Sequence, residues 1–486
     1  MGQPVCIHPD NPKLFLFRGR PLVAVTATEH YGAVMNRPFR FERYLDDAGA
    51  RGLTLTRLFV LFRELQAATN PYSTCKPESP DYIAPFARTG PGAALDGQPR
   101  FDLDRDNPEF YDRLHRFVAA AGEKGILVEV TLLSNTYGPH IWALNPLHAA
   151  NNVNALPEIP WPDYTSLRHP EVYARQARHV RRIARELNGC DNVFFEICNE
   201  PGGQAPAGPG VPTVDEVNAW QGAIAAVIRE TEAILPNRHL VAGQEAFRWE
   251  PFEQTTTRTF RDFPVDIVNV HPLPATTFDG QTYDMGAFMS GQLRLRAVRD
   301  YCLATFAEPR PLNLDEDNAA SQYKDEGGWT VHRKRAWVAL VCGAHYDYID
   351  FSIINYCEAG TAESRRGIRG PMGHLARFMH SLDLAAARPL PGIVRRAPRH
   401  ALDAAFGVPG RDVAVYLADE RETGEAGCGE PLEGPLEAEV GPGHYRVAAL
   451  SPATGEWSPA LRAEGPVACV DLPPFRHDVL VRFTRA

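Results

Sequence analysis

The chain has 486 residues, 44% hydrophobic and 23% charged, with a formal net charge of -10. That length suits two or three domains and the apolar share suffices for a sizeable core. The acidic balance argues against nucleic acid or an anionic membrane as the main partner, and no apolar run approaches the roughly 18 to 20 residues needed to cross a bilayer.

In chain order, short β-rich apolar runs alternate with segments of helical spacing from about residue 21 to 382. Strands are predicted at 22–27, 53–60, 126–132, 193–197, 240–243, 267–270, 312–314 and 348–352. Between them, Phe41, Tyr44, Leu45 and Ala48 recur at helical intervals, as do Leu114, Phe117 and Val118. Val217, Trp220, Ile224 and Val227, then Trp337, Leu340 and Val341, repeat the pattern, which places Trp220 and Trp337 in packing. Eight strand–helix units imply an α/β protein built on a closed (β/α)8 TIM barrel. The strands read as continuous apolar runs, as expected when both faces are covered. An open doubly wound sheet would carry a glycine-rich phosphate turn after its first strand. TATEHYG at 26–32 is no such turn, and no GxxxxGK[ST] occurs.

The connections at 61–107, 133–168 and 272–288 are rich in Pro, Asn, Gly and aromatics, and in a barrel they belong to the C-terminal face. After residue 390 the pattern changes to short strand-like runs at 413–417, 436–440, 445–450 and 479–483, separated by Gly/Pro turns. This predicts a barrel over 1–390 and a small all-β sandwich over 391–486. The sandwich is expected to support the barrel rather than to bind polysaccharide, with 419–434 as an exposed loop.

Nine cysteines occur singly, without a CxxC pair, which favours free thiols over a disulfide framework or zinc ribbon. The apolar run at 14–17 is too short for a secretory leader. Both observations lead to the expectation of a cytoplasmic protein. Oligomeric state leaves no signature.

Two segments carry the chemistry. VFFEICNEP at 193–201 is an apolar strand ending in Asn199-Glu200-Pro201, and PLNLDEDN at 311–318 ends in Asp315-Glu316-Asp317. Each strand end presents a glutamate, and fourth and seventh strands face each other across an eight-strand barrel. Two carboxyl groups so placed suit cleavage of a glycosidic bond. The competing accounts are a structural strand-end carboxylate at Glu200 and a solvated acidic turn at Glu316. Strand alternation puts Asn313 and Asp315 on one side, Leu314 and Glu316 on the other.

The NEP ending and the seventh-strand glutamate resemble clan A of the retaining glycoside hydrolases, which includes cellulase-like enzymes. YRVAALSPATGEW at 445–457 resembles the accessory β-domain of some cellulase-like hydrolases. The likeness covers most of 14–385, specific at 193–201 and looser at 311–318, where Asp317 stands in place of a more usual aromatic or small residue. It implies Glu200 as acid/base, Glu316 as nucleophile, a carbohydrate substrate and no cofactor.

Retaining cleavage then requires Glu200 to hold a proton, its pKa raised by burial and by the charge of Glu316. Glu316 must stay ionised, with Arg57 in LTRLF as its best positive neighbour. Asn199 is expected to bond the hydroxyl beside the anomeric carbon. His30 in EHYG and His271 in HPLP sit where barrel loops bear sugar-contacting groups, with Glu29 and Tyr31 beside His30. Trp142, Trp161, Trp249 and Trp329 fall in predicted loops, where exposed rings stack on sugars; packing under a loop is the competing account for each. HExxH, closely paired histidines and GxSxG are missing. The rival readings are a metal-dependent barrel enzyme using the 315–317 acids, and a carbohydrate-binding barrel without catalysis. The long loops favour exo action on short glycosides.

Overall fold

The computed structural model describes residues 2–64, 76–203, 205–249, 252–254, 265–271, 275–278, 281–284, 294–317, 326–422 and 424–486. Of these, 249, 252–254, 275–278, 281–284 and 326–327 are described as backbone only. Eight strands form one parallel sheet: β1 Val25–Thr28, β2 Leu55–Phe59, β3 Leu127–Ser134, β4 Val193–Asn199, β5 Val241–Gly243, β6 Ile267–Val270, β7 Leu312–Leu314 and β8 His345–Ile349. Neighbours pair in chain order from β2 to β8, and β8 pairs with β1. Thr54 closes the cylinder, its N–H donating to the Val25 carbonyl at 3.1 Å.

Seven helices flank the strands: α1 Phe41–Arg51, α2 Pro108–Glu123, α3 Pro170–Leu187, α4 Val214–Glu232, α5 Leu295–Ala304, α6 Glu326–Val341 and α7 Gly370–Met379. Their apolar stripes face the strands; in α1 these are Phe41, Tyr44, Leu45 and Ala48. A capping box at Thr213 and Glu216 fixes the start of α4. No helix is described between β5 and β6.

The barrel interior departs from the expected apolar filling. An N-terminal sheet of Cys6–Ile7, Phe15–Phe17 and Arg20–Leu22 plugs one end, its Phe15 packing with Leu55, Leu127, Phe194 and Ile267. Above that floor the strands turn Arg57, Glu129, Thr131, Glu196, Asn269, Asn313 and Asp347 into fully or nearly fully buried positions. The strands therefore alternate after all: apolar residues pack under helices while polar residues fill the tube. β8 also starts three residues before the predicted position, because HYDY does not read as a buried strand.

The long connection after β2, loop-like in composition, contains a hairpin, Phe86–Ala93 with Pro99–Asp106. From Arg388 onward all strands are antiparallel, in two sheets: β9 Arg388–Pro389, β10 Val394–Arg396, β11 Ala401–Val408, β12 Asp412–Asp419, β13 Leu432–Glu439, β14 His444–Leu450, β15 Leu461–Glu464, β16 Val467–Phe475 and β17 Asp478–Arg485. The six-stranded sheet runs in the order β9-β11-β12-β17-β14-β15, and the other is β10-β13-β16. Their shared interior holds Val415, Leu417, Leu436, Val447, Val470 and Val481. The other face of the larger sheet lies on the barrel: Trp337 of α6 stacks on Tyr416 of β12 at 5.5 Å, and Arg333 pairs with buried Asp478 at 2.8 Å. The eight described cysteines are free thiols. No helix among the described residues is long and apolar enough to cross a membrane.

Candidate active site

Arg57, at the centre of β2, is completely buried and organises the mouth of the barrel. Its guanidinium forks onto Glu196 of β4, Nη2 to Oε1 at 2.7 Å and Nε to Oε2 at 2.9 Å. Nη1 donates to Glu316 Oε2 at 2.8 Å and to the Tyr31 hydroxyl at 3.1 Å. Nη2 also donates to Asn199 Oδ1 at 2.9 Å and lies 3.1 Å from Asp315 Oδ2. Tyr31 and Phe59 stack at 4.3 Å and lie under the same guanidinium. Such a desolvated cation is tolerable only because carboxylates surround it. Burial favours its neutral form, but Asp315 and Glu196 outweigh this and keep it firmly charged.

Glu200 and Glu316 leave the ends of β4 and β7 and meet across the mouth, at 5% and 6% exposure. Atoms of Glu200, His271 and Glu316 lie within 4.8 Å of one another. His271 Nδ1 bonds Glu200 Oε1 at 3.1 Å. Its Nε2 faces Asp315 at 3.7 Å and Glu316 at 3.9 Å, too far for hydrogen bonds but near enough for strong charge attraction.

Four residues at these strand ends occupy the left-handed backbone region: Tyr31 (φ 57°), Tyr137 (φ 55°), Glu200 (φ 46°) and Glu316 (φ 61°). Side chains other than glycine rarely adopt it, and such strain gathers at functional sites. It has a direct consequence here. The left-handed turn at Glu316 breaks the alternation expected for 313–316, so Asp315 and Glu316 both reach Arg57. Asp317 turns away from the mouth, to Arg335 at 2.9 Å and the Tyr346 hydroxyl at 2.6 Å.

The proton distribution also differs from expectation. Burial alone would raise the Glu200 carboxyl, but hydrogen bonds from His271 and Tyr137, with the charge of His271, hold it below the usual range. Burial would lower His271, yet Asp315, Glu200 and Glu316 raise it to about 10. Burial and the charge of Glu200 push Glu316 upward, against His271 and Arg57. Glu200 was expected to be the raised group. The imidazole reverses this, because a proton on His271 and a proton on Glu200 are two ends of one 3.1 Å hydrogen bond. Deeper in the tube, burial and the charge of Asp315 push Glu129 and Asp347 well above the carboxylate range.

Asn199 belongs to the same network. Its Oδ1 accepts from Arg57, and its Nδ2 donates to the Tyr137 hydroxyl at 2.5 Å and to Ser134 Oγ at 3.4 Å. Tyr137 in turn bonds Glu200. A continuous chain thus links Arg57, Asn199, Tyr137 and Glu200. His30, after β1, stands edge-on to Phe351 at 5.0 Å and to Tyr31 at 5.5 Å. Glu29 caps the loop after β1, accepting from Gly32 N–H at 2.7 Å.

The tryptophan expectations require correction. Trp142, on the short helix Pro139–Trp142, is 4% exposed and covered by Tyr164 and His148 at 5.3 and 5.4 Å. Trp329 is not in a loop but in α6. Its indole N–H donates to Tyr348, and a Cβ on Gly367 would meet its ring at 2.3 Å. Both rings are packing and offer no face to a sugar. Trp161 is partly buried against the core, and the Trp249 side chain lies outside the described residues.

Sequence reasoning missed Glu196, Tyr137, Asp315 as a site residue, and the tube-filling Glu129, Asn269 and Asp347. The signal was available for Glu196: in VFFEICN it is the one charge inside an apolar strand, which demands a buried partner. Among the described residues, two side-chain groups have the spacing to hold a cation, Glu200/His271/Glu316 and Glu129/Glu196/Asp315. The first would require His271 to give up its strongly held proton. In the second, both Glu196 oxygens already accept from Arg57, so the guanidinium fills the place of an ion.

No curated protein matches the chain. A family model described as "Domain of unknown function (DUF6298)" matches residues 75–170, which run through β3 and the loop beyond it. Solved structures share the whole architecture. One titled "Glycoside hydrolase" is 11% identical, with a TM-score of 0.60 covering 100% of this chain and 97% of the other. A glycoside hydrolase family 5 structure from Bacteroides vulgatus ATCC 8482 is 10% identical, with a TM-score of 0.62 over 99% and 93%. A putative glycoside hydrolase from the same organism is 14% identical, with a TM-score of 0.64 over 100% and 82%. The likeness shows the fold alone, a (β/α)8 barrel carrying a C-terminal β-sandwich, as the sequence led one to expect.

Proposed function

We propose that the chain is a retaining glycoside hydrolase, cleaving O-glycosidic bonds of oligosaccharides or glycosides by double displacement. The observation that carries this reading is the approach of Glu200 and Glu316 to within 4.8 Å from opposite sides of the barrel. Retaining enzymes hold their carboxyl groups roughly 5–5.5 Å apart, whereas inverting ones leave room for a water at about 6.5–9.5 Å. Glu316 attacks the anomeric carbon while the Glu200–His271 pair delivers its proton to the departing oxygen. Glu316 then becomes a neutral ester, and Glu200 accepts the proton of the incoming water. Arg57 and Tyr31 both bond Glu316 Oε2 and favour its ionised form. Of the bonds made by Asn199, the 3.4 Å contact to Ser134 is the one a sugar hydroxyl would displace. The solved neighbours titled as glycoside hydrolases agree with this class of reaction.

Proton NMR of a turning-over glycoside tests the stereochemistry: the anomer released first should match the substrate, and first release of the opposite anomer overturns the double displacement.

His271 sets the pH window. Its raised value, about 10, keeps a proton on the Glu200–His271 pair into alkaline solution. Activity should therefore fall only as the pH climbs toward that value. It should also fall on acidification, as Glu316 gains a proton at its raised pKa. In His271→Gln the proton rests on Glu200 alone, far below 10, and Glu316 loses a favourable charge. The kcat/KM profile should narrow from both sides, with a loss of roughly 10–100-fold near pH 8. A profile of unchanged width removes His271 from the proton path.

A further inference from the structure

We propose a second carbohydrate site, remote from the barrel mouth, that takes an acidic, uronate-bearing oligosaccharide in a cleft at the junction of barrel and sandwich. The cleft holds about 260 Å³ and is lined by Arg446, Ala448, Trp457, Ser458, Arg482 and Thr484. Domain junctions are favoured positions for ligand clefts.

Among tryptophans whose side chains are described, Trp457 is the one classed as exposed, at 46%, with Phe378 of α7 beside its ring at 6.4 Å. Its setting is firm. Trp457 bridges Leu450, and the turn between them is closed by Gly455 N–H to the Ser451 carbonyl at 2.8 Å and Ser451 N–H to the Glu456 carbonyl at 2.9 Å. The turn rests on α7, where His374 Nδ1 donates to the Pro452 carbonyl at 3.1 Å. Gly455 (φ 76°) approaches so closely that a Cβ there would meet the His374 ring at 2.8 Å. An aromatic face held rigid and open to water suits the apolar face of a sugar ring, at low entropic cost.

The charge around it selects the sugar. Arg446 of β14 stands directly opposite Arg462 of β15 on one side and Thr484 of β17 on the other. Like charges in direct cross-strand register repel. Among the described residues neither arginine has an ion-pair partner, in a chain of net charge -10. Arg482 joins the same face, its register partner Ala448 lying two residues from Arg446. It pairs with Asp412 at 2.6 Å, bonds Ser381 and lies over Phe378 of α7 at 5.8 Å. The nearby carboxylate of Glu456 accepts from Thr454 Oγ1 at 3.3 Å within its own turn. A carboxylate carried on a stacked sugar relieves the Arg446–Arg462 repulsion and matches the guanidinium fork. A neutral sugar does neither.

Calorimetric titration of the full chain with a galacturonate hexamer and with its methyl-esterified, uncharged counterpart tests the assignment. The acid should bind at least about tenfold more tightly than the ester and weaken as salt is added. Trp457→Ala and Arg446→Ala should each weaken it by at least about tenfold, Trp457→Phe should largely restore it, and all three should keep wild-type turnover of small aryl glycosides. Equal affinity for acid and ester, absence of binding at millimolar ligand, or binding unchanged by Trp457→Ala overturns the proposal. The binding results are independent of the roles of Glu200 and Glu316, on which only the turnover control rests.

Discussion

Glu316→Ala is expected to lower kcat on aryl glycosides by roughly 10⁴-fold or more, with sodium azide restoring part of the turnover and giving a glycosyl azide of inverted configuration. The physical basis is the separation of roles between two carboxylates that lie within 4.8 Å of each other. Removing Glu316 takes away the attacking oxygen and leaves a cavity beside Arg57, which bonds that oxygen at 2.8 Å. A small anion can enter the cavity, drawn by the guanidinium, and attack once from the same side. Glu200→Ala should behave differently. It spares the first step for substrates with acidic leaving groups, and azide then intercepts the glycosyl-enzyme with net retention. If Glu316→Ala keeps near wild-type rates, or if both variants give azides of the same configuration, the assignment of nucleophile and acid/base fails.

Arg57→Leu is expected to cost about 3–5 kcal/mol in unfolding free energy, because it strands Glu196 and Asp315 as buried charges without their counter-ion. A shift of the urea midpoint to lower concentration reads this directly. Arg57→Lys should recover only part, since an ammonium reaches one carboxylate well but cannot fork onto Glu196 while holding Glu316 and Asn199. Its kcat should also fall more than its stability, as Glu316 loses an ionising neighbour. An Arg57→Leu variant as stable as wild type would show that the surrounding acids are protonated and need no cation.

The sequence was most readable where periodicity and chemistry coincide. VFFEICNEP joins an apolar strand to a carboxylate at its end, so both the fourth strand and Glu200 could be read from nine residues. The apolar stripe of α1 and the packing roles of Trp220 and Trp337 followed from spacing alone. What escaped was set by tertiary context. The start of β8 escapes the hydrophobic signal because its inward residues are polar: His345 stacks on Phe15 of the floor at 4.8 Å and Asp347 is buried in the tube. The loop-like composition around Trp142 and Trp329 leaves sugar stacking and packing equally open, and Tyr164 and Gly367, from elsewhere in the chain, decide for packing. The proton shift from Glu200 to His271 needs three distant residues within one small volume, and no local pattern announces that. The left-handed turns at Glu200 and Glu316 are equally silent, since neither position carries the glycine that usually marks them.

The contact between α6 and the larger C-terminal sheet makes the sandwich part of the barrel's own wall. Leu402, Phe406, Tyr416, Leu450 and Leu480 belong to the same apolar cluster as the barrel wall. Everything beyond residue 390 is therefore a buttress rather than a trailer. Clipping it off would bare the flank around Trp337 and Phe378, and what remained would be an adhesive remnant instead of a smaller enzyme.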